Sequence, residues 1–352
     1  MDPLWLAARV VPLVREVRTV HHAPVVHLGR GWLHGPHVDL IARPGPSGPL
    51  PWKALAARVA APEIGDREPL TERAYLARAR ELGRLEQVDP PYLPMAPHGT
   101  VRLVSAAQAH PGWPERVLPL RELALSRMTA PVVHCLESLA RDPADALVQM
   151  TEAFTALAAA HPYGMPYGTF SFRSHAEAFF HWAGPGKDPR AAFQRRLDAE
   201  RAVLHPVVER ALTGGESAQA TRWRTALAYA TGLFEASAVH GATTPALLDS
   251  LAGAPQGAER DVSPDAGEAT ASRSAFHAAV AEAGITDPEQ PWFLAHRLVI
   301  NLFYRQLPLL GVSPMMRYYL CHAVAETVDE LTGIGWQERL AQGTPHGAGS
   351  PA

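Results

Sequence analysis

The side chains best suited to moving protons stand near the end of the chain. In Trp292–Gln306, the residues Phe293, Arg297, Asn301 and Tyr304 recur at spacings of four, four and three, which on a helix sets them along one line. Val299, Ile300 and Phe303 form an apolar stripe on the same helix. Pro308 and Gly311 stop it, and Ser313-Pro314 starts another with serine as cap and proline in the first turn. That second helix buries Leu320, Ala323, Val324, Val328 and Leu331, with Tyr318 and Tyr319 at the flank of the buried face and Gly333 as its stop. Near the other end, Gly35-Pro36 is a turn signal. His37, Asp39 and Ile41 then share one face of a strand, and Val38, Leu40 and Ala42 share the other. Phenols and imidazoles exchange protons near neutral pH. A row of fixed donors suits an oxygen on which charge develops. The same residues would also serve as hydrogen-bonded packing groups at helix contacts.

The elements that must position these groups change character along the chain. Leu4–Val20 fits helix and strand equally. Pro51-Trp52 begins a short helix through Ala61, and Thr71 caps a clearer one over Leu70–Gln87. Asp89–His98 holds four prolines and reads as extended or looped, and Thr100–Ser105 reads as a strand. From Leu118 the pattern is helical: Arg121–Arg141, Pro143–Ala160, Ser171–Trp182 and Pro189–Leu212. Between the second and third of these, His161–Gly168, with Tyr163 and Tyr167, suits a functional loop. Gly253–Ala271 is expected to be a mobile surface connection, and Ala341–Ala352 a disordered tail. The expected fold is α+β, a small mixed sheet near the N-terminus packed with a larger helical part, in one domain over residues 1–340.

Composition narrows the function class. A chain of 352 residues, 47% hydrophobic and 19% charged, can bury a large core. Its net charge of -3 argues against nucleic acid as the main partner. No 18-residue apolar run or signal peptide is evident, so the expectation is a cytoplasmic protein with no membrane partner. Cys135 and Cys321 form no Cys-x-x-Cys pair, and His34 and His37 lack two further ligands, so no metal is expected. His175-Ala176-Glu177 matches half of a zinc-deaminase pattern whose Pro-Cys-x-x-Cys half is missing. Phosphate loops, the Gly-x-Ser-x-Gly elbow and His-Glu-x-x-His are absent.

Trp32-Leu33-His34-Gly35-Pro36-His37-Val38, then Ser171-Phe172-Arg173-Ser174-His175, then Asn301-Leu302-Phe303-Tyr304 and Leu309-Leu310-Gly311-Val312-Ser313-Pro314 occur in one order across most of the chain. In that order they resemble the elimination domain of lantibiotic dehydratases, and more closely its stand-alone form, the thiopeptide pyridine synthases. Glutamate-eliminating relatives carry arginines at alternating positions of the strand after Gly-Pro-His. Here Asp39 and Ile41 stand there, Arg43 comes only at the end, and Tyr92–Gly99 has no arginine. A retained eliminase is therefore disfavoured.

The resemblance implies a formal four-plus-two cycloaddition of two dehydroalanines in a dehydrated, azole-bearing precursor peptide. The central pyridine and macrocycle form with loss of water and leader peptide, and no cofactor is needed. It implies proton carriers among His296, Tyr304, Tyr318 and Tyr319, with Arg297 and Asn301 beside them. Trp32, His37, Asp39, Ser171 and Arg173 are the implied substrate contacts. Arg195 and Arg196, with the other arginines of Pro189–Leu212, would draw an acidic leader. Dehydratase proteins are the implied partners, and the alternative role is a non-catalytic leader-binding module for them.

Overall fold

The computed structural model describes residues 2–46, 48–59, 68–86, 89–104, 113–182, 189–253, 274–283 and 289–343. Apart from Gly253 and residues 341–343, the expected surface connection and tail lie outside them. Counting helices of six residues or more, the N-terminal part runs α1 (Val11–Thr19), β1 (Val25–Gly31), β2 (His37–Arg43), α2 (Glu72–Glu86) and α3 (Leu118–Arg141). Next come α4 (Ala146–Ala159), α5 (Met165–Trp182), α6 (Arg190–Leu212), α7 (Ala218–Val239) and α8 (Pro245–Gly253). The chain ends with α9 (Ala275–Ala283), α10 (Pro291–Gln306), α11 (Pro314–Thr332) and α12 (Trp336–Ala341). It divides into two compact units. One comprises Met1–Arg141, Val239–Val262 and Asn301–Gly311, the other Asp142–Ala238, Ser263–Ile300 and Val312–Ala352.

The first unit is built around the hairpin of β1 and β2, whose register runs from Val25↔Arg43 to Gly31↔His37. The turn between them needs left-handed backbone, with φ of 61° at His34 and 114° at Gly35. β1 lies on α3, where the Val26 N–H donates to Ser126 Oγ at 3.1 Å. The Arg18 guanidinium donates to the Val26 carbonyl at 3.1 Å. Arg43 forks onto the buried Glu122 carboxylate with two bonds of 2.8 Å. The 3₁₀ turn Leu307–Leu310 packs on β1 and α3, and its Pro308 carbonyl accepts from Arg30 at 3.3 Å.

The α+β class and the small N-terminal sheet match expectation, but among the described residues the sheet is a two-stranded antiparallel hairpin. The expected strand Thr100–Ser105 is absent over residues 101–104, where Val101, Leu103 and Val104 are exposed. Their β-propensity finds no ladder partner, and propensity without one does not make a strand.

The second unit is a helical bundle. Every residue of α4 from Gln149 to Ala158 is buried, as befits a helix apolar on most sides, and α5, α6 and α11 pack around it. α11 begins where Ser313 Oγ accepts from the Met316 N–H at 3.2 Å, and it ends at Gly333 with φ of 66°. Arg173 on α5 is clamped by Glu326 at 2.6 Å and Asp329 at 2.8 Å, and Asp329 also takes Arg339 at 2.8 Å. The expected loop His161–Gly168 is a loop only to Gly164, since α5 starts at Met165. At Gly168 a Cβ would collide with the Ala158 carbonyl, so glycine lets α5 start hard against α4.

Candidate functional site

Ser171 and His296, 125 residues apart in sequence, meet in the second unit with Ser171 Oγ 3.3 Å from His296 Nε2. α5 supplies the serine, half-buried, and α10 supplies the imidazole, 4% exposed. The His175 ring donates to the Ser171 carbonyl at 2.6 Å, which ties down the turn that carries the serine. His161 stands edge-on to His296 with ring centroids 5.0 Å apart. Trp292 and Tyr163 complete a half-buried aromatic wall, 5.2 Å and 5.6 Å from His161. Burial holds His296 down to about 4, and burial plus the neighbouring His296 holds His161 down to about 3. Both rings are neutral at pH 7; His161 Nδ1 accepts from the Tyr163 N–H at 3.2 Å, and His296 Nε2 faces the Ser171 hydroxyl.

A second cluster surrounds Tyr319 on α11. Its hydroxyl donates to Glu200 Oε2 at 2.7 Å, the Arg196 guanidinium lies 4.1 Å from its ring centre, and Arg196 Nε bonds Glu200 at 3.0 Å. Burial, and then the carboxylate beside it, raises the Tyr319 pKa well above the phenol range. The expected flank position is therefore a buried one, 1% exposed, with Glu200 as the hydroxyl's partner. Tyr318 is likewise buried, stacked on Phe179 at 4.5 Å and covered by Arg317 at 4.8 Å.

Four sequence expectations change once the partners are seen. Trp32 is 8% exposed and packs with Tyr75, Ala79 and Tyr92, so it serves the core of the first unit rather than a substrate surface. Arg173 is consumed by its two carboxylates. The arginines of α6 are largely neutralised within the chain. Arg190 pairs with Glu177, Arg196 with Glu200, Arg201 with Asp198 and Glu330, and Arg210 with Glu152. Arg195, exposed, is the one of the five without a carboxylate partner among the described residues. The fourth concerns the line Phe293–Arg297–Asn301–Tyr304, which is not one surface. Arg297 is exposed over the Phe293 ring, Asn301 half-buried and Tyr304 4% exposed. Arg297 counts with the second unit, Asn301 and Tyr304 with the first.

His37 and Asp39 do share a face, with Nε2 and Oδ2 3.9 Å apart, each lying over a glycine of β1, Gly31 and Gly29. At 44% and 41% exposure the pair is solvated. Glu200 and His161 were missed as site residues. Glu200 was legible only as the i+4 partner of Arg196, and His161 only as the first residue of the loop singled out for its tyrosines. Among the described residues no group of three or more His, Cys, Asp or Glu could hold a metal ion, and no helix is long and apolar enough to cross a membrane.

The first unit's small antiparallel hairpin and the second unit's helical bundle, which holds the neutral Ser171–His296 pair, define an α+β protein. No protein-family model and no curated protein matches the sequence. Among solved structures the chain is similar to the pyridine synthase TbtD from thiomuracin biosynthesis, at 21% identity and a TM-score of 0.61 over 94% of each chain. It is also similar to the crystal structure of TsrL, at 17% identity and a TM-score of 0.61 over 99% of this chain and 97% of that one. The chain has a pyridine synthase-like fold.

Proposed function

We propose that this chain is a pyridine synthase of thiopeptide biosynthesis, acting without a cofactor on a dehydrated precursor peptide that carries a leader. The observation that carries the reading is the agreement of fold with TbtD across nearly the whole of both chains. In the reaction, an amide next to one dehydroalanine moves its proton from nitrogen to oxygen and becomes a 2-azadiene. The alkene of a second dehydroalanine adds across its two carbon termini, forming two carbon–carbon bonds with the nitrogen already in the ring, and closes the macrocycle. Loss of the hydroxyl with a ring proton releases water. Loss of the leader as its carboxamide, with a second proton, leaves the aromatic pyridine.

Each step needs a proton taken and a proton given, and this is the work we assign to Ser171 and His296. A neutral His296 accepts the Ser171 proton while the serine oxygen accepts one from the substrate. Holding diene and alkene together contributes as well, since oriented intramolecular reactions reach effective molarities of about 10⁵ M or more. Glutamate elimination finds less support, because Arg43, the one arginine of β2, is bound to Glu122.

The test is incubation of the purified chain with dehydrated precursor peptide, followed by mass spectrometry. The expected result is a macrocyclic product together with a leader ending in a carboxamide. Ser171→Ala and His296→Gln are each expected to lower turnover by about 10²-fold with the fold intact. Peptide binding without any product would instead assign the chain to leader binding for a dehydratase partner.

A further inference from the structure

The two outer edges of the hairpin are treated differently. In an antiparallel ladder, alternate residues turn their N–H and C=O toward the partner strand and the rest turn them outward. Val26 spends its N–H on Ser126 and its carbonyl on Arg18, so it is an outward residue of β1. Side chains close that edge at Val26. Val26 pairs with Ala42, so the outward residues of β2 are Ala42, Leu40 and Val38. Among the described residues the backbone groups of these three have no hydrogen-bond partner besides solvent. All three residues are half-buried, the strand is seven residues long, and it contains no proline or glycine that would spoil an added strand.

We propose that the open edge of β2, Val38 to Ala42, is a docking rail for an extended peptide segment, which joins the hairpin as a third strand. Outward N–H and C=O groups repeating every second residue are complementary to one common ligand, another extended polypeptide backbone. Such binding takes its affinity from the main chain and leaves side-chain specificity to the faces. His37 and Asp39 would flank one face of the added strand, and the side chains of Val38 and Leu40 the other. The helix α6, whose arginines are mostly paired within the chain, is the poorer peptide surface. From the proposed function this inference takes only that the ligand is a peptide.

A displayed library of random twelve-residue peptides, selected against the full chain, supplies the probe. A synthetic copy of the best binder is then mapped by hydrogen exchange and titrated by fluorescence anisotropy. The amides of Val38, Leu40 and Ala42 are expected to gain protection, while those of Asp39 and Ile41, already in the ladder, change little. Leu40→Pro removes one outward donor and keeps the β1 bonds, so it should weaken binding at least tenfold. Ala42→Pro serves the same purpose should Leu40→Pro fail to fold, and the exchange map on the unaltered chain needs neither variant. Recovery of no binder, protection elsewhere, or unchanged affinity in a folded proline variant would overturn the proposal. So would a doubled solution mass with protection of β2 in the absence of peptide, since a second copy would then occupy the edge. Mass spectrometry of the precursor reaction is read separately, so loss of one reading leaves the other standing.

Discussion

At the scale of single residues, the buried imidazoles make a statement about acid stability. His161 and His296 are held to about 3 and about 4, and His322 is also lowered, chiefly by burial with Glu326 opposing it. In the unfolded chain each would titrate near 6.5, so between that value and about 4 the unfolded state binds protons that the folded state refuses. Stability is therefore complete above pH 6.5 and falls as pH drops, by up to about 1.4 kcal/mol per pH unit for each histidine. Carboxylates held low, such as Glu330, act in the same direction only below their own unfolded range. The window from pH 6.5 to 5 thus belongs to the histidines. Urea unfolding at pH 7, 6 and 5 is expected to show a falling midpoint, and His161→Gln with His296→Gln should flatten the profile. An unmodified chain equally stable at pH 7 and pH 5 would mean that the imidazoles reach water.

At the scale of elements, β2 is tied to α3 by the fork from Arg43 to Glu122, whose side chain is 3% exposed. Removing the arginine leaves a buried carboxylate without its main counter-charge, so Arg43→Ala should cost about 3 kcal/mol, and adding Glu122→Gln should return part of it. Thermal melting of the single and double variants checks this, and a single variant as stable as the parent would show the pair to be solvated. How far such elements can be read from the chain depends on the range of the forces that make them. The start of α11 at Ser313-Pro314 and its stop at Gly333 are local events and were legible, as was β2 from its alternation after Gly35-Pro36. β1 was not, because Val25-Val26-His27-Leu28-Gly29-Arg30-Gly31 has no alternation and two glycines, and it becomes a strand through pairing and burial on α3. Ser171 and His296 were both legible as candidates. Their meeting was not, because it is set by how α5 and α10 are brought together. The arginines of α6 looked free for the same reason, since three of their carboxylates, Glu177, Glu330 and Glu152, sit on other helices.

At the scale of the whole chain, neither compact unit is a continuous stretch. The first takes its last eleven residues from Asn301–Gly311, far beyond Arg141. Within them Leu307, Leu309 and Leu310 are at most 5% exposed, and the turn they form rests on β1 and α3. Burying such side chains is worth roughly 2 kcal/mol each, about 6 kcal/mol together, against a total stability on the order of 5–15 kcal/mol for a domain. A fragment ending at Arg141 would expose the apolar seat of that turn and lose the carbonyl that Arg30 binds. It is therefore expected not to fold cooperatively, despite containing the whole sheet. In the full chain the same contact can be weakened in place. Leu309→Ala should cost about 2–4 kcal/mol, and hydrogen exchange should show that loss in β1 and β2, which the turn supports. A fragment 1–141 with a sharp unfolding transition and full protection of Val25–Gly31 would show that the hairpin and α3 carry the first unit alone.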